Sequence, residues 1–208
     1  GLIQASRLDA LRRELARRKL QGFIVPRTDE HQNEFVPRRA ERLAWLTGFT
    51  GSAGLAVVLA DRAAVFVDGR YTLQVADQVD RARFETRHVT NDPPSGWIEA
   101  HLARSGRLGY DPWLHTPNDI QRLEVACKKA GGVLVACESN PIDAVWQDQP
   151  VAPLAPVVPH ELKFAGQSAE EKRRALAGEL DKKDIGAAVI TSPAVNPSKA
   201  IVPSALRE

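Results

Sequence analysis

The stretch AERLAWLTGFTGSAGLAVVLADRAAVFVDGRYTLQ, residues 40–74, decides how the chain is read. Leu43, Trp45 and Leu46 give one or two helical turns an apolar side, and Gly48 stops them. Thr50-Gly51-Ser52-Ala53-Gly54 joins two glycines to small side chains, which permits a sharp turn and a close approach to a neighbour. Residues 55–59 and 63–67 are apolar and include β-branched side chains. Only Ala60-Asp61-Arg62 separates them, so they predict a hairpin with both strands largely buried. Asp68-Gly69-Arg70-Tyr71 ends the second strand, and helical spacing resumes through Leu73, Val75, Ala76 and Val79. Polar groups at a strand's exit, beside a helix start, are where open α/β sheets keep functional groups.

On the amino-terminal side, Ser6 can cap a helix to about Lys19 whose apolar stripe is Leu8, Leu11, Leu15 and Leu20. Phe23-Ile24-Val25 is a short buried strand stopped by Pro26. The acidic loop Arg27-Thr28-Asp29-Glu30-His31-Gln32-Asn33-Glu34 follows and is a second candidate for function. Its acids and histidine have the chemistry of metal ligands, but consecutive loop residues seldom converge on one ion without a rigid support. The reading preferred on those grounds is a solvated loop with capping carboxylates.

On the carboxyl-terminal side, residues 83–89 read as a strand, 97–102 as a helix and 107–110 as a strand ended by Asp111-Pro112. Thr116-Pro117 has the form of an N-cap followed by proline in the first turn. That helix runs to about Ala130 through Ile120, Leu123 and Val125, and Gly131-Gly132 closes it. Residues 133–136 form the next strand, and residues 141–146 form a short helix with Ile142, Val145 and Trp146 inward. Helices alternating with strands around one hairpin predict an α/β fold with a mixed sheet flanked by helices.

Proline then recurs from Gln149 to Pro159, which favours a stiff, extended connector. The expected division is a domain over 1–148, a linker over 149–160 and the start of a second domain over 161–208. Ser168-Ala169-Glu170-Glu171 is a capping box opening a helix to about Lys183, and residues 187–190 read as a strand. One helix and one strand cannot bury a core of their own. The segment therefore reads as the first piece of a truncated domain, or as one that packs on a partner.

Net charge is +2 across 208 residues, and the short cluster Arg38, Arg39 and Arg42 reads as a solvated face. These features speak against a nucleic-acid or anionic-membrane partner. No apolar run reaches the length of a membrane span and no export signal stands at the amino terminus, so the cytoplasm is the expected compartment. Cys127 and Cys137 read as buried, inert thiols in a reducing environment. The absence of methionine implies that Gly1 is not the translated start.

No phosphate-binding loop, dinucleotide fingerprint, serine elbow or His-Glu-x-x-His helix occurs. Gly51-Ser52-Ala53-Gly54 leads into a strand, not the helix that a nucleophile elbow requires. His31, His88, His101, His115 and His160 are scattered, without a second ligand at metal spacing. From the residues alone, the chain is an α/β domain with a polar strand-end cluster and no self-contained active site.

Three separated motifs then occur together: Trp45-Leu46-Thr47-Gly48-Phe49-Thr50-Gly51-Ser52-Ala53-Gly54, Asp68-Gly69-Arg70-Tyr71 with Gln74, and Asn140-Pro141-Ile142-Asp143-Ala144-Val145-Trp146. With Asp29-Glu30-His31-Gln32, they resemble the amino-terminal domain of the Xaa-Pro aminopeptidases, or aminopeptidase P, of the three-domain cytosolic type. The resemblance runs from near Ser6 to about Ser192. It implies a creatinase/prolidase-type domain with a ribonuclease-H-like motif, followed by the start of a second, similar domain. It also implies a homodimer and a separate metallopeptidase domain. That catalytic domain would hold two divalent ions, manganese or similar, and release the amino-terminal residue preceding proline.

No metal ligand of that family can be carried onto this sequence, so the resemblance implies a non-catalytic domain that is inactive alone. Its expected roles are to wall the cleft, control access and support dimerisation, with Arg70 and Tyr71 facing the peptide substrate. Two other readings of Arg70 stay open. It can pair with Asp68 to fix the turn, or it can serve with residues 29–34 in a stand-alone interaction module of the same fold. A prolidase or creatinase sibling is a further alternative. From Ala194 the family's apolar, Trp-Leu-rich continuation is replaced by Val195-Asn196-Pro197-Ser198, which reads as truncation or alteration of the second domain.

Overall fold

Leu8, Leu11 and Leu15 recur at helical spacing and form the buried stripe of α1 (Leu2–Arg17). A computed structural model describes residues 2–156 and 158–189. The chain divides into two units, Gly1–Ala152 and Pro153–Glu208. Helix α1 begins earlier than the Ser6 cap predicts, because nothing in residues 2–5 breaks a helix and Ser6 lies exposed within it. Strand β1 (Gly22–Pro26) follows, then a loop, a 3₁₀ turn over Arg38–Ala40 and helix α2 (Arg42–Thr47). Gly48 ends α2 at φ 84°, the left-handed conformation that glycine adopts without a Cβ penalty.

The hairpin forms where the residue pattern puts it, as β2 (Leu55–Leu59) and β3 (Ala63–Val67). A 3₁₀ turn over Gly69–Tyr71 leads into α3 (Thr72–Gln78). Then come β4 (Glu85–His88), α4 (Pro94–His101), β5 (Arg107–Tyr110), α5 (Pro117–Lys129), β6 (Val133–Ala136) and α6 (Pro141–Val145). Thr116 caps α5 in a complete capping box with Asp119.

The strands form one mixed sheet in the order β4-β3-β2-β1-β5-β6. β2 is antiparallel to both β1 and β3, while β3–β4, β1–β5 and β5–β6 run parallel. Alternation along β1 divides the core. Phe23 and Val25 join Ala56, Val58, Val65 and Val67 beneath α1, α2, α3 and α6, while Ile24 joins Val57, Phe66, Trp97 and Leu123 beneath α4 and α5. Each fully buried large side chain contributes roughly 1.5–3 kcal/mol by leaving water.

Two side chains expected inside are outside. Leu73 is 82% exposed and Val125 47% exposed. Each stands two positions from the buried residues of its helix, Val75 for Leu73 and Leu123 and Cys127 for Val125. Two positions on an α-helix turn a side chain to the opposite face. Arg42, read as part of a solvated face, is instead buried, one turn from Trp45 and Leu46.

In the second unit, α7 (Leu162–Ala165) precedes α8 (Ala169–Asp181), which opens with the expected Ser168–Glu171 capping box. Residues 187–189 do not form the expected strand, since no described strand lies alongside to pair with them. Ile190 and the tail from Ala194 lie outside the described residues.

Candidate functional site

The carboxyl ends of β1 and β3 point to the same edge of the sheet, because the two strands flank an antiparallel neighbour. From β3, Asp68 accepts the backbone N–H of Arg70 at 2.9 Å and so starts the 3₁₀ turn. The same carboxylate receives the Arg70 side chain, Nε at 3.1 Å to either oxygen and Nη2 at 2.7 Å. These bonds hold the guanidinium above its ordinary pKa and the carboxyl below its own. The Arg70 side chain remains 69% exposed, with its Cζ 5.1 Å from the centre of the Tyr71 ring. Arg70 is thus paired within its turn while presenting its outer face to solvent.

Tyr71 is fixed from three sides. Its hydroxyl shares a 2.5 Å hydrogen bond with Ser52 Oγ, which lowers the phenol pKa, and its ring meets buried Phe49 edge-on at 5.6 Å. Gly51 lies against both rings: a Cβ there would fall 2.3 Å from Phe49 Cζ and 2.9 Å from Tyr71 Cδ1. The glycine turn and the Asp-Gly-Arg-Tyr motif are therefore two halves of one packed corner. Beside it, Gln78 Oε1 accepts the Thr50 N–H at 2.9 Å, and both Gln74 and Gln78 amides donate to Thr50 Oγ1. Ser52 is a partner of Tyr71, consistent with its failure to form a nucleophile elbow.

The acidic loop is split by its own hydrogen bonding. Asp29 turns inward and accepts the N–H of His31 and of Asn33, each at 3.0 Å, and the Asn33 amide at 3.0 Å. Burial pushes its carboxyl pKa up, but these bonds outweigh burial and hold it below the usual range. Glu30 and His31 face solvent, while Glu34 lies within electrostatic reach of Arg70. The structure thus leaves Asp29 as a loop cap. Among the described residues no group of three or more histidine, cysteine, aspartate or glutamate side chains could hold a metal ion. The donor set present does not fit the di-metal centre that the resemblance implies.

Sequence reasoning missed two polar groups behind this edge. Arg42 Nε and Nη2 pair with Asp143 at 2.7 and 2.8 Å, and Gln149 Nε2 joins Asp143 at 2.8 Å to the Arg39 carbonyl at 3.0 Å. Asn140 accepts the Ile142 N–H at 3.0 Å to cap α6, and donates to buried Asp111 at 2.9 Å. The signal for Arg42 was its place on the Trp45–Leu46 face of α2, where an arginine must find a partner. The Asn140-to-Trp146 motif supplies that partner.

Residues 7–144 match the family model described as Creatinase/Prolidase N-terminal domain. Over 191 residues the chain is 38% identical to a probable Xaa-Pro aminopeptidase P of Ajellomyces capsulatus, covering 90% of this chain and 31% of that protein. It is 34% identical to human Xaa-Pro aminopeptidase 2 over 84% of this chain and 26% of that one. The chain therefore spans under a third of the length of these relatives. The crystal structure of an X-prolyl aminopeptidase from Caenorhabditis elegans, described as a cytosolic enzyme with a di-nuclear active site, superposes with a TM-score of 0.75. It is 26% identical and is matched over 88% of this chain and 32% of that one. The N-terminal domain of the cytoplasmic peptidase PepQ from Mycobacterium tuberculosis shares the fold, with a TM-score of 0.52 at 23% identity, over 67% of this chain and 98% of that one. With the fold, the motifs and a family match over more than half its length in agreement, the chain belongs to the creatinase/prolidase N-terminal domain family.

Proposed function

We propose that this chain is the non-catalytic amino-terminal domain of a metal-dependent Xaa-Pro aminopeptidase, which releases the amino-terminal residue preceding proline. Its part is to wall the substrate cleft, control access and support a homodimer in the cytoplasm. Two divalent ions, manganese or similar, belong to the catalytic portion and not to this chain. The observation that carries the reading is the 38% identity extending over 90% of the chain, onto 31% of a relative named for that activity.

Arg70 and Tyr71 are the residues assigned to the peptide. Support comes from the corner they occupy: Tyr71 is immobilised by Ser52 and Phe49, and Arg70 is oriented by Asp68 with its side chain mostly in solvent. A planar guanidinium held in this way can donate to a peptide carbonyl or carboxylate without a large loss of side-chain freedom.

The test has two arms. The purified 208-residue chain, given manganese, is expected not to cleave Xaa-Pro peptides, and real turnover by the pure protein would overturn the reading. In the longer peptidase carrying this domain, Arg70→Ala is expected to raise KM about tenfold, the loss of one charge-assisted hydrogen bond. Unchanged KM and kcat would remove Arg70 from the substrate site.

A further inference from the structure

A cleft of about 390 Å³ opens on the opposite face of the sheet from α1, between the starts of α4 and α5. Its size falls within the range of small-molecule sites, roughly 300–1,000 Å³. Ile24, Pro26, Leu55, Pro94, Leu114 and Leu123 supply an apolar lining. Its position follows from topology. The chain leaves β1 toward β2 on one side and later returns as β5 on the other, so the segments leaving the carboxyl ends of β1 and β5 diverge. Ligands of open α/β sheets bind in the crevice that such a divergence creates.

The charges around this cleft select a ligand class. Asp119 and Arg122 pair with each other at 2.6 Å and cancel. Burial lowers the pKa of His115, which favours the uncharged ring. Arg27 differs from both. Its Nη1 donates to the Glu34 carbonyl at 2.5 Å, yet it makes no ion pair, and Nε and Nη2 have no hydrogen-bond partner among the described residues. The Nε/Nη2 edge of the guanidinium is therefore unpaired on a residue that lines the same cleft as the apolar wall, and such a fork matches the two oxygens of a carboxylate.

We infer that this cleft binds a small apolar monocarboxylate, its aryl or alkyl body against Leu55, Leu114 and Leu123 and its carboxylate on the Nε/Nη2 edge of Arg27. A phosphate or nucleotide suits the site poorly, because a single unpaired cation and an apolar wall cannot satisfy several anionic oxygens. The inference is independent of the peptidase reading and stands if that reading fails.

Phenylacetate and its neutral amide, phenylacetamide, are suitable probes in amide-resolved NMR titrations of the full chain. Phenylacetate at millimolar concentration is expected to give saturable shifts at Gly54, Leu55, Val89, Ser95 and Leu123, with phenylacetamide about tenfold weaker. Arg27→Gln is expected to weaken phenylacetate about tenfold and to leave phenylacetamide unchanged. Leu55→Phe, which narrows the cleft from the sheet side, is expected to abolish saturation by both. Absence of saturable shifts at these amides overturns the inference, as does equal binding of acid and amide. The comparison of acid with amide needs no variant, so it decides the matter even if Arg27→Gln fails to fold.

Discussion

Arg42 and Asp143, 101 residues apart in the chain, meet in a two-point ion pair at 2.7 and 2.8 Å. Arg42 is only 8% exposed, so the pair pins α2 to α6 from inside. Asp143→Ala would leave a guanidinium buried without its counter-charge, and a loss of about 3 kcal/mol is expected in urea unfolding. Arg42→Met should cost less, because methionine fills the volume and the Asp143 side chain, 26% exposed, can rehydrate. Equal and small losses in both variants would show that the pair contributes little to stability.

Gly51 and Gly96 should respond oppositely to alanine. The Cβ of Gly51→Ala would collide with Phe49 and Tyr71, and Phe49 is fully buried. Overpacking of about 1–3 kcal/mol is expected, with a displaced Tyr71 ring visible by NMR. Gly96→Ala on α4 meets nothing within 4 Å and should stabilise by about 0.5–1 kcal/mol through helix propensity. A neutral Gly51→Ala would mean that the corner is loosely packed.

Acid should unfold the chain through specific carboxylates. Hydrogen bonds from Arg17, with Arg18 adding to them, hold the Glu14 pKa down to about 2. Asp29 is also held below the usual range, by Asn33 and His31 against the opposing effect of burial. A carboxyl with a lowered folded pKa stabilises fully above its unfolded value, near 4, and loses that contribution as pH falls through the folded value. Urea midpoints should fall steeply from about pH 4.5 toward pH 2, and Glu14→Gln should flatten the lower part of that slope. An unchanged slope would mean that the Arg17 and Arg18 bonds do not persist in solution.

Both thiols should be inert until the chain unfolds. Cys127 is fully buried, which pushes its pKa up to about 11, and burial raises that of Cys137 as well. An aromatic disulfide reagent near pH 8 should label neither in the native chain and both in concentrated urea. Rapid native labelling of either thiol would reveal opening of its face of the core.

Arg70→Ala should leave the unfolding midpoint unchanged, because its pair with Asp68 is mostly in solvent. A drop comparable with that of Asp143→Ala would show that Arg70 serves the turn, and its assignment to the peptide would be withdrawn.

Local chemistry made much of this protein legible. The 55–67 hairpin, the Gly48 stop, the Thr116 and Ser168 capping boxes and the strands at 107–110 and 133–136 depend on periodicity, φ angles and caps within a few residues. The spacing of three motifs also sufficed to indicate the family. Tertiary structure decided the rest, because it depends on which distant segments become neighbours. Parallel pairing set β5 against β1, with Arg107 donating its N–H to Gln21 across 86 residues, and so created the divergence in which the cleft lies. It turned Arg42 from an expected surface charge into a buried partner of Asp143, and it joined the glycine turn to Tyr71 through Phe49. A sequence carries periodicity along the chain, whereas the identity of a buried polar group's partner, or of an unpaired charge beside a cleft, emerges only when the sheet order is known.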